Sequence, residues 1–423
     1  MTALDRLSPS RRGFLLGGGA LIVTFSLAPG LAMAEGTTER KLPGSLERNP
    51  QLDSWIRIDH RGAITVFTGK CELGQGIKTA LLQVAAEELG VTPESIHVVT
   101  ADTELTPNEG YTAGNHSMQD SGTAIRSAAA QARSLLIGAA AARLGVSVDR
   151  LKARDGAVVA EDGRRLGFGA LVKDKELHVA ADGRSALTDP AHYRVIGMPV
   201  HRVDIPAKVS GAPAFVHDLR LPGMLHARVV RPPSYHATLL RIDTSPTTKM
   251  PGVRAVHRDG NYLAVIAERE YQAVAAMHAL TEAAAWSETP SLPEPDQIFD
   301  WLTSQPAEPV PVLAGSGHLT SGPNVLEATY RRAYQMHASI GPSCAVGQFK
   351  NGQLTVWTHS QGVFPLREAI AELVQLPTAR VRCIQAEGSG CYGHNGADDA
   401  AADAALLAMA VPGRPVRVQW TRE

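Results

Sequence analysis

The sequence predicts a mixed α/β fold, of the α+β or α/β kind, from two observations. Short apolar runs alternate like strands between turn residues, as from Trp55 to Phe67 around Arg61 and Gly62. Longer runs have helical periodicity, as in the alanine-rich stretch from Gln119 to Leu144. With 423 residues, 44% of them hydrophobic, the chain can form two or three domains with substantial cores.

A loop with two glycines stands near the front of the chain. Gly74-Gln75-Gly76 leads into a predicted helix from Lys78 to Leu89. A predicted strand from Ser95 to Ala101 and a polar loop from Asp102 to Ser117 come next. The alanine-rich helix that follows is long enough to cover a sheet.

Strands and helices also alternate in the middle and at the end of the chain. The residues from Pro290 to Gly317 hold six of the 27 prolines, which indicates a linker. The predicted strands run from Leu225 to Arg231, Gly252 to His257, Tyr262 to Ala267, Ala345 to Phe349, Gln353 to Thr358 and Val381 to Gln385. The predicted helices run from Glu270 to Trp286, Pro365 to Val374 and Ala397 to Met409.

Charge and cysteine content exclude several classes of protein. The formal net charge is -1 and the basic residues are dispersed, so no stripe suited to nucleic acid is present. No two of the four cysteines form a C-x-x-C pair, which argues against a zinc ribbon or an iron–sulfur cluster held by this chain. The histidines show no H-x-x-x-H spacing either.

The N-terminus has the pattern of a twin-arginine signal peptide, predicted over residues 1–34. Arg11 and Arg12 precede a glycine-rich apolar run, and Ala32-Met33-Ala34 resembles a cleavage site. An ordinary secretory signal or a membrane anchor is the alternative. Because the twin-arginine route exports folded cargo, we expect a periplasmic protein that receives its cofactor in the cytoplasm, either free or peripheral on the inner membrane.

Two features near the end of the chain have the form of ligand-binding segments. Gln361 follows a predicted strand, at the carboxyl end where α/β sites commonly lie. The segment from Glu387 to Gly396 joins a strand to a helix and contains four glycines, which lets the backbone approach a ligand closely. By spacing alone, a glycine-rich loop between a strand and a helix is more often just a tight turn.

Taken together, these segments resemble the molybdopterin-binding large subunits of the xanthine dehydrogenase and aldehyde oxidase family, the molybdenum hydroxylases. The order of the motifs resembles the branch of isoquinoline 1-oxidoreductase and nicotinate dehydrogenase, because the Gly-Gln-Gly loop comes late in typical members and early here. The matching segments are Gly74-Gln75-Gly76, Tyr111 to Ser117, His337 to Cys344, Gln361 and the glycine loop from Gly390.

The resemblance implies a domain order and a reaction. It implies an N-terminal molybdopterin-binding segment at 50–190, an α/β hammerhead domain at 199–288, a proline-rich linker at 289–322 and the first part of the main cofactor-binding domain at 323–423. It also implies hydroxylation of an electron-poor carbon, in an aldehyde or an N-heteroaromatic ring, with oxygen from water. We expect the cytosine dinucleotide form of molybdopterin, a small subunit with two [2Fe–2S] clusters, and a cytochrome c subunit as a further partner.

The resemblance also assigns roles to residues. Gln361 would hydrogen-bond an oxygen of the metal centre without being a ligand. Gln75 and the amides of Gly74 and Gly76 would hold the pterin or its phosphates at the start of the next helix. The remaining cofactor contacts would come from Asn115, Ser117, Gly390, Cys391, Tyr392 and Gly393.

Structural roles remain open for several of these residues and their neighbours. Gln361 or Ser117 could cap the helix that follows each of them. Cys391 could be an apolar filler against the cofactor. His394 and Asn395 could be polar loop residues, and the pair Asp398-Asp399 could mark the start of a helix.

Two departures from the family pattern qualify the expectation. Gly396 stands where many members carry an acidic residue, and no Gly-x-Gly-Glu motif with the catalytic base is present. We therefore expect an N-terminal portion of a large subunit that is inactive by itself. The alternative is a truncated or noncatalytic ligand-binding periplasmic protein derived from this family.

Overall fold

The computed structural model describes residues 41–172, 178–310, 322–388, 390–395 and 400–421. The predicted signal peptide at 1–34 lies outside them, as do Gly396, Asp398 and Asp399. The strands are β1 Ile56–Ile58, β2 Ile64–Thr68, β3 Ile96–Thr100, β4 Leu151–Arg154, β5 Ala157–Ala160, β6 Arg165–Gly167, β7 Leu225–Val230, β8 Thr238–Arg241, β9 Val253–Asp259, β10 Tyr262–Ala267, β11 Ala285–Ser287, β12 Cys344–Lys350, β13 Gln353–Thr358, β14 Val381–Gln385 and β15 Pro415–Gln419. The helices are α1 Ile77–Leu89, α2 Thr123–Leu144, α3 Phe168–Val172, α4 Ile205–Val209, α5 Ser245–Thr248, α6 Glu270–Ala283, α7 Ile298–Ser304, α8 Val363–Leu373 and α9 Ala400–Ala410.

The front unit is a three-stranded sheet in the order β1-β2-β3, covered by α1 and α2. β2 and β3 are parallel, so the chain needs a crossover between them, and α1 provides it. Leu81, Leu89 and Ile125 are fully buried in the core between sheet and helices, each contributing about 1.5–3 kcal/mol. The predicted mixture of strands and helices is confirmed.

A seven-stranded sheet in the order β14-β13-β12-β15-β7-β10-β9 joins the middle and the end of the chain. β15 pairs in parallel with β7, so strands from the 199–288 and 323–423 segments form one sheet. α9 packs on β12, where a side chain at Gly347 would meet the carbonyl oxygen of Ala404 at 2.4 Å. The predicted domain boundaries themselves stay a prediction.

Two helix predictions differ from the structure at their ends. The helix predicted to run from Glu270 to Trp286 ends at Ala283, because Ala285–Ser287 pairs antiparallel with Thr238–Arg241. The helix predicted from Gln119 begins with a π-helical turn over Ser117–Gly122. Within the described residues, no helix combines the length and apolar character needed to cross a membrane.

Candidate functional site

The site lies where the carboxyl ends of two parallel strand pairs meet. The loops after β2 and β3 belong to the front unit, and those after β13 and β14 belong to the large sheet. A β-bridge between Asp102 and Ile384 connects the two sheets, supported by a bond from the Gln385 amide to the Ala101 carbonyl at 2.9 Å. Four loops distant in sequence therefore face one space.

These four loops enclose a cleft of about 740 Å³. Every residue that the sequence predicted to contact the cofactor lines it, namely Gly74, Gln75, Gly76, Asn115, Ser117, Gln361, Gly390, Cys391, Tyr392 and Gly393. Residues of both front loops complete the lining, namely Leu73, Ile77, Ala80, Thr112, Ala113, Gly114 and Met118. The structure thus brings the whole predicted set together.

The first loop needs its glycines, but its glutamine has a structural task. Gly74 and Gly76 have φ angles of 103° and 84°, which side chains rarely tolerate. The Gln75 side chain accepts from the Leu73 amide at 2.6 Å and donates to the Cys71 carbonyl at 2.9 Å. The Gln75 side chain therefore closes the loop, and its predicted contact with a cofactor stays a prediction.

A buried carboxylate occupies the start of α1. One oxygen of Glu72 accepts from the amides of Gly74 and Gly76, both at 2.9 Å, and the other accepts from the Lys78 amide at 3.0 Å. Glu72 is completely buried. The amides predicted to hold the pterin or its phosphates thus donate to the chain's own carboxylate in this structure, and their contact with a cofactor stays a prediction.

Glu72 belongs to a buried charge network that joins three parts of the chain. Its carboxylate lies within 4.8 Å of those of Asp204 and Glu387, and all three residues are buried. Three cations stand against these three carboxylates, so the cluster is neutralised by protein groups rather than open to a metal ion. The ion pairs are Lys78 with Glu387 at 2.9 Å, Lys208 with Asp204 at 2.6 Å, Arg202 with Asp204 at 2.6 Å and Arg202 with Glu72 at 3.7 Å, besides Lys208 with Glu387.

The cations set the ionisation of this network. Burial by itself would raise the pKa of Asp204, but hydrogen bonds from Arg202 and Lys208 hold that pKa well below its usual value. Burial by itself would lower the pKa of Lys208, but hydrogen bonds to the carboxylates of Asp204 and Glu387 raise it. Both groups are therefore charged near neutral pH.

The second loop is fixed by a buried lysine. Lys70 donates to the carbonyls of Glu109 and Tyr111 at 2.9 and 3.1 Å and pairs with Asp120 at 3.6 Å. The Glu109 carboxylate accepts from Thr68 and from the Gly69 amide, each at 2.8 Å. These bonds hold the polar loop against the end of β2.

Thr112 connects the two front loops to Gln361. Its hydroxyl accepts from the Cys71 amide at 2.8 Å. Its own amide donates to the Gln361 carbonyl at 2.8 Å, and its carbonyl accepts from the Gln361 side chain at 3.0 Å. Gln361 is buried, and its side-chain oxygen has no hydrogen-bond partner among the described residues.

Neither Gln361 nor Ser117 caps a helix. Gly362 is the N-cap of α8, and the Ser360 hydroxyl accepts from its amide at 3.2 Å. His116 precedes the helical turn that Ser117 begins. Asn115 is exposed with a φ of 64°, at the bend before that turn. The alternatives in which Gln361 or Ser117 caps the following helix are therefore wrong.

The glycine loop after β14 has both exposed and buried members. Tyr392 and His394 are exposed, and the His394 ring stacks on His337 at 5.4 Å. Asn395 is buried, with its amide nitrogen 2.5 Å from Nδ1 of His359 and 3.3 Å from the Gly390 carbonyl. His394 and Asn395 thus lie in the loop that follows β14, where the sequence predicted polar loop residues.

The cysteines differ in access to the cleft. Burial raises the pKa of Cys71 and of Cys383 to about 12 in each case. Cys344 is buried as well, whereas Cys391 is half-buried at the cleft wall. Only at Cys391, among the described cysteines, does a thiol line the candidate site.

The sequence predicted no individual role for Glu72, Thr112 and Glu387, although the last two lie within segments that it marked. A signal for Glu72 was present, since an acidic residue shortly before a Gly-x-Gly loop can accept hydrogen bonds from the amides of that loop. The other two act through contacts with residues far away in sequence, which no local pattern displays.

Comparison with known proteins identifies the family of the chain. A model described as a molybdopterin cofactor-binding domain matches residues 24–211, and a second model with the same description matches 316–423. A nicotinate dehydrogenase subunit from Pseudomonas putida is 40% identical over 98% of this chain. The chain belongs to the molybdopterin-binding large subunits of the xanthine dehydrogenase and aldehyde oxidase family. The predicted family is confirmed.

One further relative matches nearly the whole chain, and a solved structure matches about half of it. The beta subunit of isoquinoline 1-oxidoreductase from Brevundimonas diminuta is 26% identical over 98% of the chain. The chain spans 35% of the nicotinate dehydrogenase subunit and 59% of the isoquinoline 1-oxidoreductase one. Aldehyde oxidoreductase of Desulfovibrio gigas is a structural relative with a TM-score of 0.45 and 23% identity, over 56% of this chain and 31% of that one.

Proposed function

We propose that this chain forms the cofactor-binding part of a molybdenum-dependent oxidoreductase. The reaction would hydroxylate an electron-poor carbon, in an aldehyde or an N-heteroaromatic ring, with oxygen from water. The observation that carries the proposal is the cleft, into which four loops bring every residue predicted for the cofactor. Names of relatives support the substrate class, since they include nicotinate, isoquinoline and aldehyde dehydrogenases or oxidoreductases.

The residues of the cleft fit a molybdopterin. Gln361 offers a buried amide whose oxygen is unsatisfied within the described residues, which is the kind of group that a bound ligand completes. Gly390 and Gly393 have φ angles of 149° and 97° and leave their backbone accessible. We infer that Gln361, Asn115, Ser117 and the amides of residues 391–393 would hold the group.

The bound cofactor would supply the redox chemistry. This chain's contribution is orientation and the exclusion of water. The Thr112 carbonyl accepts from the Gln361 side chain, and the Thr112 amide donates to the Gln361 backbone carbonyl, so both the backbone and the side chain of Gln361 are held at the cleft wall. Leu73, Ile77 and Met118 add apolar surface that lowers the polarity of the cleft.

Partners and the nucleotide are part of the proposal. Several relatives are named as subunits, among them a gamma subunit of a 6-hydroxypseudooxynicotine dehydrogenase complex. We infer a small subunit with two [2Fe–2S] clusters as the electron acceptor, with a cytochrome c beyond it, and the cytosine dinucleotide form of the cofactor. The lack of C-x-x-C pairs supports clusters on a separate chain.

Metal and nucleotide analysis tests the assignment. The protein would be purified from its host through a tag on this chain, and we expect molybdenum together with CMP after acid hydrolysis. Dye-coupled oxidation of nicotinate and of simple aldehydes then tests the substrate class. A preparation without molybdenum or pterin would contradict the proposal.

Substitution of the amide tests its role. Gln361→Ala should lower turnover about a hundredfold while the protein remains folded, because it removes a polar side chain that is preorganised at the reacting centre. Gln305→Ala is the control, because this exposed glutamine lies outside the cleft. Equal activities of the two variants would remove Gln361 from the mechanism.

Export is proposed from the sequence pattern at residues 1–34. The paired substitution of Arg11 and Arg12 by lysine should retain the protein in the cytoplasm if the twin-arginine route is used. Cell fractionation with a cytoplasmic and a periplasmic marker measures it. Periplasmic accumulation of the double-lysine variant would contradict that route.

A further inference from the structure

The start of α1 has the geometry of an anion site, yet it is filled by the protein. The first amides of a helix have no partner within the helix, and they commonly bind phosphate or carboxylate. Here Gly76 is the N-cap of a 13-residue helix, and the loop before it adds the Gly74 amide. The Glu72 carboxylate accepts from the amides of Gly74, Gly76 and Lys78 at 2.9 to 3.0 Å.

Glu72 is fixed in this position from several sides. Its backbone carbonyl accepts from the Gln385 side chain at 2.8 Å, which ties it to the end of β14. Arg202 lies 3.7 Å from one of its carboxylate oxygens and also donates to the Gly74 carbonyl at 2.8 Å. The residue has no exposed surface, so salt screens its contacts much less than those of an exposed charge.

We propose that Glu72 is a positioning residue, an internal anion that takes the place of a phosphate and thereby turns the Gly74–Gly76 loop into a wall for a neutral part of the cofactor. This inference rests on the proposed function and deepens it. A second anion at the same amides would meet a buried negative charge at hydrogen-bond distance, which is unfavourable. The phosphates of the cofactor are therefore bound by other groups.

Removal of the carboxylate should convert the loop into an anion site. In Glu72→Ala the three amides lose their acceptor, and hydrogen exchange over residues 74–78 should accelerate at least tenfold. Inorganic phosphate at millimolar concentration should slow that exchange again in the variant and leave it unchanged in the parent protein. A merely structural role would give faster exchange without protection by phosphate.

Glu88 provides the matched control. It is also fully buried, lies in the last turn of α1 and pairs with Arg126 and Arg133 at 3.0 and 2.8 Å. Glu88→Ala should destabilise the protein but leave exchange at residues 74–78 and its response to phosphate as in the parent. Protection of the parent loop by phosphate, or equal behaviour of both variants, would overturn the proposal.

A conservative variant keeps the test decisive if the alanine variant fails to fold. Glu72→Gln retains one acceptor oxygen in place of two. That oxygen can accept either from the amides of Gly74 and Gly76 or from the amide of Lys78. The amides left without an acceptor should exchange faster. Unchanged exchange at all three amides would overturn the proposal. Because these measurements need no cofactor, they can fail while metal analysis supports the proposed function, and the reverse also holds.

In the cofactor-loaded protein, Glu72→Gln should reduce pterin retention by about tenfold to a hundredfold, the loss typical when a group that orients the binding residues is removed. Glu88→Gln should retain the pterin. Full retention in the Glu72 variant would show that the loop needs no internal anion and would overturn the assignment.

Discussion

The two walls of the cleft have the same topology but are held by different chemistry. The front wall follows β2, α1 and β3, and the rear wall follows β13, α8 and β14, each a parallel pair with a helical crossover. Buried charges fix the front loops, with Lys70, Glu72 and Glu109 as the central groups. The glycine loop of the rear wall is held mainly by the uncharged Asn395 amide beside the His359 ring, although Glu387 of the same wall also joins the charge network.

The difference shows that loops of the same topology can be held mainly by buried ions or mainly by uncharged hydrogen-bonding groups. A buried ion that loses its partner is destabilising by several kcal/mol, whereas a buried neutral group that loses its partner costs less. The front wall should therefore respond strongly to charge removal and to pH. The rear wall should respond moderately to substitution, and measurements of stability can separate the two.

The largest effect is expected for Lys70→Met in the front wall. The substitution leaves the carbonyls of Glu109 and Tyr111 without their donor and Asp120 without its cation, at a cost of about 3–5 kcal/mol. Urea unfolding followed by circular dichroism measures it. Lys152→Met at an exposed position should change the free energy of unfolding by less than about 0.5 kcal/mol.

A smaller effect is expected for Asn395→Ala in the rear wall. The variant leaves Nδ1 of His359 and the Gly390 carbonyl without this amide, at a cost of about 1–3 kcal/mol. The exposed neighbour His394, changed to alanine, serves as the control in the same urea titration. A loss for Asn395→Ala as large as for Lys70→Met would break the contrast between the walls.

The fall of the unfolding free energy at acid pH should depend on the buried charge network that contains Glu72 and Asp204. The pKa of Asp204 is lowered in the folded protein from 3.8, so its contribution is present above that pH and is lost as pH falls through the lower folded value. Asp204→Asn should flatten the fall of the unfolding free energy below about pH 4. The exposed Asp149→Asn is the control, and an equally steep acid limb in the Asp204 variant would contradict the assignment.

The smallest change concerns the thiols, and it compares the walls without altering stability. Cys391 in the rear wall is half-buried, whereas Cys71 in the front wall is buried with its pKa raised to about 12. Iodoacetamide at about pH 8 should therefore modify Cys391 first, as located by peptide mass mapping. Modification of Cys71 before Cys391 would contradict this prediction, because it would mean that the buried front wall opens to solvent.

Local patterns predicted the elements well, because strands and helices arise from periodicities within the segment itself. The strands predicted from Ala345 to Phe349 and from Gln353 to Thr358, which pair antiparallel as neighbours along the chain, are examples. The pairing of β11 with β8 escaped prediction, since it depends on contact between distant segments and ended a helix that propensity alone would extend to Trp286. The continuous seven-stranded sheet was missed for the same reason.

The composition of the site was predicted better than its internal bonding. The resemblance gave the residues that meet in the cleft, because family motifs mark positions near a ligand. It did not show that the Gln75 side chain and the Gly74 and Gly76 amides are used within the protein. Hydrogen-bond partners depend on geometry, and a motif specifies the residue without specifying the direction of its polar groups.

The bonds between Thr112 and Gln361 have a consequence for how such chains can be assembled. They join residues 249 positions apart, and the Lys78 pair with Glu387 and the Asp102 pair with Arg382 span similar separations. The front wall is thus attached to the rear wall by side chains and bridges rather than by the covalent continuity of neighbouring segments. A gene rearrangement that moves the Gly-Gln-Gly segment from late to early in the polypeptide can therefore preserve the cleft, provided that the new connecting segments can span the distance.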